Sequence, residues 1–284
     1  MAIKRFKPEF WSSKLLVGVR KSLVYAGPGV VNRDYEGEIR DAGDTVRITS
    51  ISRPTIGTYG PGVTIVPEEL TDAQRTLVVD QQKYWAFKVD DVDKRQAAGD
   101  VMPQAMDEAG YGLSDVVDQY VASLYTQASA ANQLGTIAVP SANPGYFYEK
   151  ILVPLKVKLD EANVPSQGRY AVIPSWLHGR ALLDDRFIDA SKAGATPNNA
   201  LLNGFVGRAA GFDIVMSNNC PNPTGDDYVV TAGTSAAISF AEQINKTEAY
   251  RPESSFSDAI KGLCVYGAKV IRPDFLATAI ASQT

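Results

Sequence analysis

Between Asp44 and Val92 the chain carries two extended, alternating segments on either side of a tip crowded with glycine and proline. In the return segment Leu77, Val79, Trp85, Phe87 and Val89 share one parity, interrupted by Gln81 and Lys83, which is the period-2 signature of a strand with one covered face. The outgoing segment shows Val46 and Ile48 before Ser50 breaks the alternation. Pro54, Gly57, Gly60, Pro61, Gly62 and Pro67 lie between them and favour turns over continuous pairing into a compact sheet. An isolated two-stranded hairpin is marginally stable in water. Unless the rest of the chain folds back over it, its cover comes from another copy of the protein.

The 284 residues, 45% hydrophobic and 21% charged, supply enough apolar side chains for one or two lobes plus extensions. Cys220 and Cys264 are too few and too far apart for a disulfide scaffold, so both are expected as free, buried thiols in a reducing compartment. No segment approaches the roughly 18 consecutive apolar residues of a membrane span. The run Leu15, Leu16, Val17, Gly18, Val19 stops at Arg20 and Lys21, short of a secretory signal core. Residues 1–21 hold Lys4, Arg5, Lys7, Lys14, Arg20 and Lys21 against Glu9 alone, a net of +5 in a chain of net charge −4, so the remainder is near −9. Such an arm suits an acidic neighbouring surface, or loose contact with nucleic acid or an acidic assembly factor. Sequence-specific DNA binding is not expected: there is no zinc-finger spacing, no basic helix and no positive net charge.

After the hairpin a long amphipathic helix is expected in two parts. Val101, Met102, Ala105, Met106 and Ala109 are helically spaced, with Pro103 as a kink or first-turn residue. Gly110 and Gly112 then weaken the rod before the stripe Leu113, Val116, Val117, Tyr120, Val121, Leu124, Tyr125, whose start Ser114 is placed to cap. Phe147, Ile151, Leu155 and Leu159 mark a further helix ending near Asn163 and Pro165. Tyr170 to Ile173 read as a buried strand, and Trp176, Leu177, Ala181, Leu182 and Leu183 as the apolar face of a helix opened by Pro174 or Ser175. Strands are expected at Phe212–Met216, Tyr228–Thr231, Ala237–Phe240 and Leu263–Ile271, which makes the fold class α+β. There is no internal repeat, coiled-coil heptad or low-complexity tract.

Chemistry is sparse. His178 is the only histidine; Ser175, Asp184 and Asp185 are close in sequence, but one short helix cannot converge a nucleophile, a base and its orienter. A His178 and Cys220 dyad lacks an activated-thiol turn. Asp90, Asp91 and Asp93 suit a helix entry and lack the turn glycine and terminal Glu of a calcium loop. Asp226 and Asp227 read as loop charge. Gly57, Gly60 and Gly62 have the wrong order for a dinucleotide fingerprint, and there is no phosphate loop. No catalytic residue, cofactor or metal is expected.

The ordered parts match a known plan. Asp80 to Asp91 (DQQKYWAFKVDD), Leu202 to Val215 with Gly204, Gly207 and Gly211, and Tyr266 to Pro273 (YGAKVIRP) follow a basic arm, a hairpin, a bent helix and an α+β lobe. This order resembles the major capsid protein of tailed bacteriophages, the Hong Kong 97-like fold. The glycines by themselves suggest a tight turn or bulged hairpin. The resemblance implies an N-terminal arm at 1–43, an extended hairpin at 44–91, a peripheral domain with the spine helix at 92–140 and 255–284, and an axial domain at 141–254. It further implies self-assembly into pentamers and hexamers that form an icosahedral shell around double-stranded DNA, in a virion assembled in the bacterial cytoplasm. Partners would be many copies of the chain itself, scaffold, portal and decoration proteins, and nonspecifically the packaged DNA, with no membrane. An encapsulin-like nanocompartment shell is the nearer alternative, and a hydrolase using His178 the farther one.

Some members of that group join subunits through a hairpin lysine. Here no lysine occurs between Lys21 and Lys83, where the available cations are Arg47, Arg53 and Arg75, so a noncovalent shell is expected. No long region precedes the arm to serve as a fused scaffold, so scaffolding is expected to be separate or absent. Trp85 and Phe87 are expected to anchor the hairpin root, Ile56, Tyr59, Val63 and Ile65 to meet an adjacent subunit, and Gly110 and Gly112 to form a hinge.

Overall fold

The computed structural model describes residues 24–34, 45–51, 56, 72–90, 101–184, 187, 207–253 and 257–283. The outgoing hairpin strand β1 (Thr45–Ile51) pairs antiparallel with β2 (Asp72–Val78), and the two form a sheet of their own. The return segment is two strands. After Val79 and Asp80 the chain enters β3 (Gln81–Asp90), which leaves the hairpin and pairs with a strand near the C-terminus. The expected single ribbon from Leu77 to Val89 is thereby corrected: the polar interruption at Asp80 and Gln81 marks the place where one strand ends and the next joins a different sheet.

Helix α1 (Val101–Ser123) runs without a break through Gly110 and Gly112. Leu113, Val117 and Val121 are buried along it, and Leu124 in the 3-10 turn that follows, whereas Val116, counted in the apolar stripe, is 40% exposed. Ser114 is not a cap. Its hydroxyl lies within the helix and donates to the Gly110 carbonyl at 2.7 Å, a back-bond that bends helices slightly.

Beyond α1 come β4 (Gln133–Ala138), a π-helical turn at Phe147–Leu152 that leads directly into α2 (Val153–Glu161), β5 (Arg169–Ile173) and α3 (Ser175–Leu182). The π turn accounts for the strict four-residue spacing of Phe147, Ile151, Leu155 and Leu159. On an ideal α-helix an i,i+4 series drifts by about 40° per step. An underwound first turn takes up part of that drift, and all four side chains are fully buried.

The remaining strands are β6 (Arg208–Ala209), β7 (Phe212–Met216), β8 (Asp227–Thr234), β9 (Ile238–Tyr250), β10 (Ser257–Val270) and β11 (Leu276–Ser282). Ala210 at φ 50° and Gly211 at φ 86° make the turn between β6 and β7, and two successive positive φ values are what a tight hairpin needs. The larger sheet has the order β4-β11-β8-β5-β7-β6, and the smaller one β3-β10-β9. Helices α2 and α3 cover the larger sheet through Leu155, Leu159, Leu177 and Ala181 packed on Ala171, Ile173, Val230 and Ala279. Helix α1 packs on the smaller sheet through Val117 and Val121, joined by Leu124 of the turn that follows it, in one cluster with Phe240, Tyr266 and Val270.

The sheets cross the boundaries expected from the sequence. Strand β9, placed at 141–254 with the axial domain, pairs along its length with β10 and belongs with β3. Strands β4 and β11, placed with the peripheral domain, join β8 and β5 in the larger sheet. The reason is strand hydrogen bonding: a chain that enters and leaves a lobe does so on strands, so contiguous sequence blocks cut through sheets. Residues 81–90 likewise belong with the smaller sheet and not with the hairpin.

Candidate functional site

The assembly site expected from sequence has two parts, a hairpin and a hinged helix. Among the described residues the hairpin strands β1 and β2 pair only with each other, and Ile56 beyond β1 is 93% exposed. Tyr59, Val63 and Ile65 lie outside the described residues. At the base the picture reverses: Leu77 and Val79 are fully buried against Ala241 of β9 and Val265 of β10.

That base rests on a glycine. A Cβ added at Gly267 of β10 would lie 2.4 Å from the Val78 carbonyl oxygen and 2.8 Å from the Val79 Cα, so the chain leaving the hairpin crosses β10 in direct backbone contact. A second glycine in the same strand, Gly262, receives the indole of Trp85, its cross-strand partner; a Cβ there would fall 2.4 Å from the ring. Trp85 and Phe87 stack with centroids 5.6 Å apart and pack, with Val89, on Met106 of α1 and Ile260 of β10. Both aromatics are thus half-buried against their own chain at the start of the hairpin's return path. The cue for these contacts was present in the sequence: an isolated glycine inside a strand pattern signals a bulge or a close backbone approach.

Gly110 is buried and Gly112 is exposed, both inside α1. A Cβ at Gly112 would meet nothing within 4 Å, so no close packing requires glycine there.

The outer face of the smaller sheet presents Tyr84, 83% exposed, beside Ala86 and Leu263, with Lys261 paired to Glu248 at 3.0 Å and lying over the Tyr250 ring.

The groups considered for catalysis are dispersed. His178 is half-buried on α3, and burial lowers its pKa. The Cys220 thiol accepts a hydrogen bond from the Tyr25 hydroxyl at 3.2 Å and lies 3.3 Å from the Ser217 carbonyl, while burial pushes it up to about 11. Burial likewise raises Cys264 to about 12. Such thiols are protonated near neutral pH and poor nucleophiles. Both cysteines are free and buried, as expected from their spacing. Asp91 and Asp93 lie outside the described residues, and among the described ones no three potential metal-ligating side chains cluster. Among the described residues no helix is long and apolar enough to cross a membrane.

Sequence reasoning missed a buried carboxylate. Asp118 lies on the covered face of α1, only 2% exposed, and binds the segment that runs from Val24 to Asp34. The signal was weak: Asp118 sits one turn after Ser114 at the edge of the apolar stripe, where a polar residue reads as flanking solvent.

A family model described as phage capsid protein matches residues 72–279. No curated protein sequence matches the chain. Among solved structures, one from Mycobacterium phage Che8 is 29% identical, with a TM-score of 0.73 and 90% of each chain covered. The capsid of cyanophage P-SCSP1u is 18% identical with a TM-score of 0.71, covering 86% of this chain and 85% of that one. A virus-like particle from Pyrococcus furiosus is 16% identical with a TM-score of 0.54, covering 95% and 98%.

Proposed function

Because the chain belongs to the phage capsid protein family and is a major capsid shell protein with the Hong Kong 97-like fold, we propose that its copies close into pentamers and hexamers that surround double-stranded DNA. The observation that carries this reading is the isolation of the β1–β2 hairpin, which is buried at its root and pairs with no other described strand beyond it. A two-stranded ribbon gains lasting order when another surface covers it. Heterologous contacts, in which the hairpin of one copy meets a different surface of the next, generate rings when the rotation closes.

On this reading Ile56, Tyr59, Val63 and Ile65 supply the contact between copies, and Trp85 and Phe87 hold the root from which the hairpin projects. Apolar and aromatic anchors in a desolvated contact cost about 2 kcal/mol or more each when truncated. The basic arm lies on the acidic remainder of a neighbouring copy. The shell is noncovalent, since no lysine lies between Lys21 and Lys83. The role is structural, without catalysis. Scaffold, portal and decoration proteins are its partners during assembly in the host cytoplasm.

Electron microscopy of the purified chain is expected to show closed shells with five- and six-fold rings, and denaturing gels a single band at the 30.6 kDa monomer mass. A monodisperse monomer would overturn the shell reading, and ladders of linked subunits the noncovalent one. The likeness to the Pyrococcus furiosus particle extends to the fold alone, so the cargo decides between a DNA container and a nanocompartment.

A hinge in α1 is the second part of the proposal. Glycine is about 1 kcal/mol less favourable than alanine in a helix interior, so the Gly110 and Gly112 pair makes the middle of α1 its most readily deformed turn. Gly110→Ala with Gly112→Ala is expected to raise helix stability and slow shell expansion, followed by time-resolved scattering. Expansion at the original rate would remove the hinge role.

A further inference from the structure

Residues 24–34 are pinned at both ends, and the two attachments lie on different parts of the fold. At the first end, three consecutive backbone N–H groups point at one oxygen. Val24, Tyr25 and Ala26 donate to Oδ1 of Asp118 at 2.9, 2.6 and 3.3 Å. Successive N–H groups of this kind form a concave anion seat, and an ionised acceptor makes such bonds short and strong. The other carboxylate oxygen, Oδ2, receives the Asn219 side-chain amide at 3.1 Å from the turn that follows β7. Tyr25 reaches the same turn through its hydroxyl on Cys220.

At the second end the backbone bonds to β9. Asn32 donates to Ile238 at 2.8 Å and accepts from Phe240 at 2.9 Å, a parallel bridge onto the smaller sheet. Arg33 closes the loop: its Nε and Nη2 donate to the Ala26 carbonyl at 3.2 and 2.9 Å, its Nη1 lies 3.6 Å from the Glu242 carboxylate, and its guanidinium covers the Phe240 ring at 4.7 Å. Between the ends Tyr25, Ala26, Val30 and Val31 are buried in the cluster that joins α1 to the smaller sheet.

We propose that residues 24–34 are a strap, that Asp118 is its catch, and that together they couple the basic arm ahead of the strap to the long helix. The strap touches α1, the larger sheet at its β7 turn and the smaller sheet at β9, so it ties all three to one another. Force on the arm reaches α1 through the Asp118 bonds. The strap and catch stand on intramolecular geometry, whereas their service in an assembled shell rests on the function proposed above.

Asp118→Asn tests the catch without changing its size. A neutral amide oxygen still accepts from the three N–H groups, but without the charge, and its NH2 group finds an acceptor in Asn219 once that amide turns over. Hydrogen exchange on the intact protein is expected to speed up about tenfold at residues 24–31, the loss that follows when charge-assisted bonds become neutral or are broken. Residues 169–173 of β5 serve as the internal reference and are expected to hold. Adding Asn219→Asp returns a carboxylate to the second contact but not to the acceptor of the three N–H groups, and is expected to recover little of the protection. Unchanged exchange at 24–31 in the single variant would overturn the catch, and so would full recovery in the exchanged pair, which would place the loss at the Asn219 contact. In assembled shells the single variant is expected to lower the temperature of shell disruption. Faster exchange with unchanged shell stability would leave the catch standing and overturn the coupling to the arm.

Discussion

Gly267→Val is expected to yield a chain that folds its larger sheet and forms no shells. The glycine has no room for a side chain because its neighbours, the Val78 carbonyl and the Val79 Cα, are backbone atoms at 2.4 and 2.8 Å from where a Cβ would stand. A flexible side chain could turn aside; the crossing backbone moves only if the hairpin base lifts off β10. Leu77 and Val79 then lose their burial against Ala241 and Val265. Overpacking of this kind costs typically 1–3 kcal/mol and occasionally more, and two exposed aliphatic side chains add about 1.5–3 kcal/mol each. The larger sheet shares none of these contacts. Denaturant unfolding would report the loss, hydrogen exchange would localise it to residues 72–90 and the facing part of β10, and electron microscopy would count particles. Wild-type shell yield with an unchanged unfolding midpoint would show that the crossing does not control the hairpin. Gly179→Ala in α3 is the matched control, since a Cβ there meets nothing within 4 Å and removing a helix-interior glycine stabilises by up to about 1 kcal/mol.

Elements with a strong periodic signal were readable from the residues, and those whose identity depends on a distant partner were not. Strand β7 begins and ends at the residues where its apolar run does, and α3 opens after Pro174 where the turn chemistry places it. Strand β11 was missed because its sequence, LATAIAS, is built of small residues with little strand preference, and its stability comes from lying between β8 and β4. The split between β2 and β3 was missed for a related reason. A parity count follows side chains and not hydrogen bonds, so two strands that keep the same parity across Val79 and Asp80 look like one.

The candidate site divides along the same line. Trp85 and Phe87 announced a covered face, and the face exists; what covers it is Met106 and Ile260 of the same chain. Asp118 could not be recognised because three of its hydrogen bonds go to backbone groups more than ninety residues away, and no residue type marks a backbone donor. The arm was read by charge alone. Its last part, from Val24 onward, is an apolar strap sunk in the core.

Arg169→Met is expected to destabilise the chain more than any surface change, although Arg169 is far from the hairpin. Arg169 opens β5 and is 2% exposed, which is unusual for a guanidinium. It holds the turn between α2 and β5: Nε donates to the Pro165 carbonyl at 2.9 Å, Nη2 to the Val164 carbonyl at 2.6 Å, and Nη1 lies 2.7 Å from the Asp160 carboxylate. The side chain of Asp160 is 47% exposed, so solvent screens the ion pair and its share is small. The larger loss comes from the buried Val164 carbonyl, which faces an apolar side chain once the fork is gone, at about 1–3 kcal/mol, with a smaller share from the Pro165 carbonyl, which water can reach. Methionine fills much of the arginine stem's volume, so the cavity penalty is minor and the expected total is about 2–4 kcal/mol. The same turn holds Asn163 at φ 56° and Gly168 at φ 68°, conformations that the surrounding contacts must enforce. Lysine is expected to rescue little, because a single ammonium cannot reach three acceptors in the fork's geometry. Equilibrium unfolding of the unassembled chain measures the effect directly. A loss below about 1 kcal/mol in Arg169→Met would mean that water replaces the guanidinium at both carbonyls, and the turn would then owe its shape to Leu155, Leu159 and Val164 in the core beneath it.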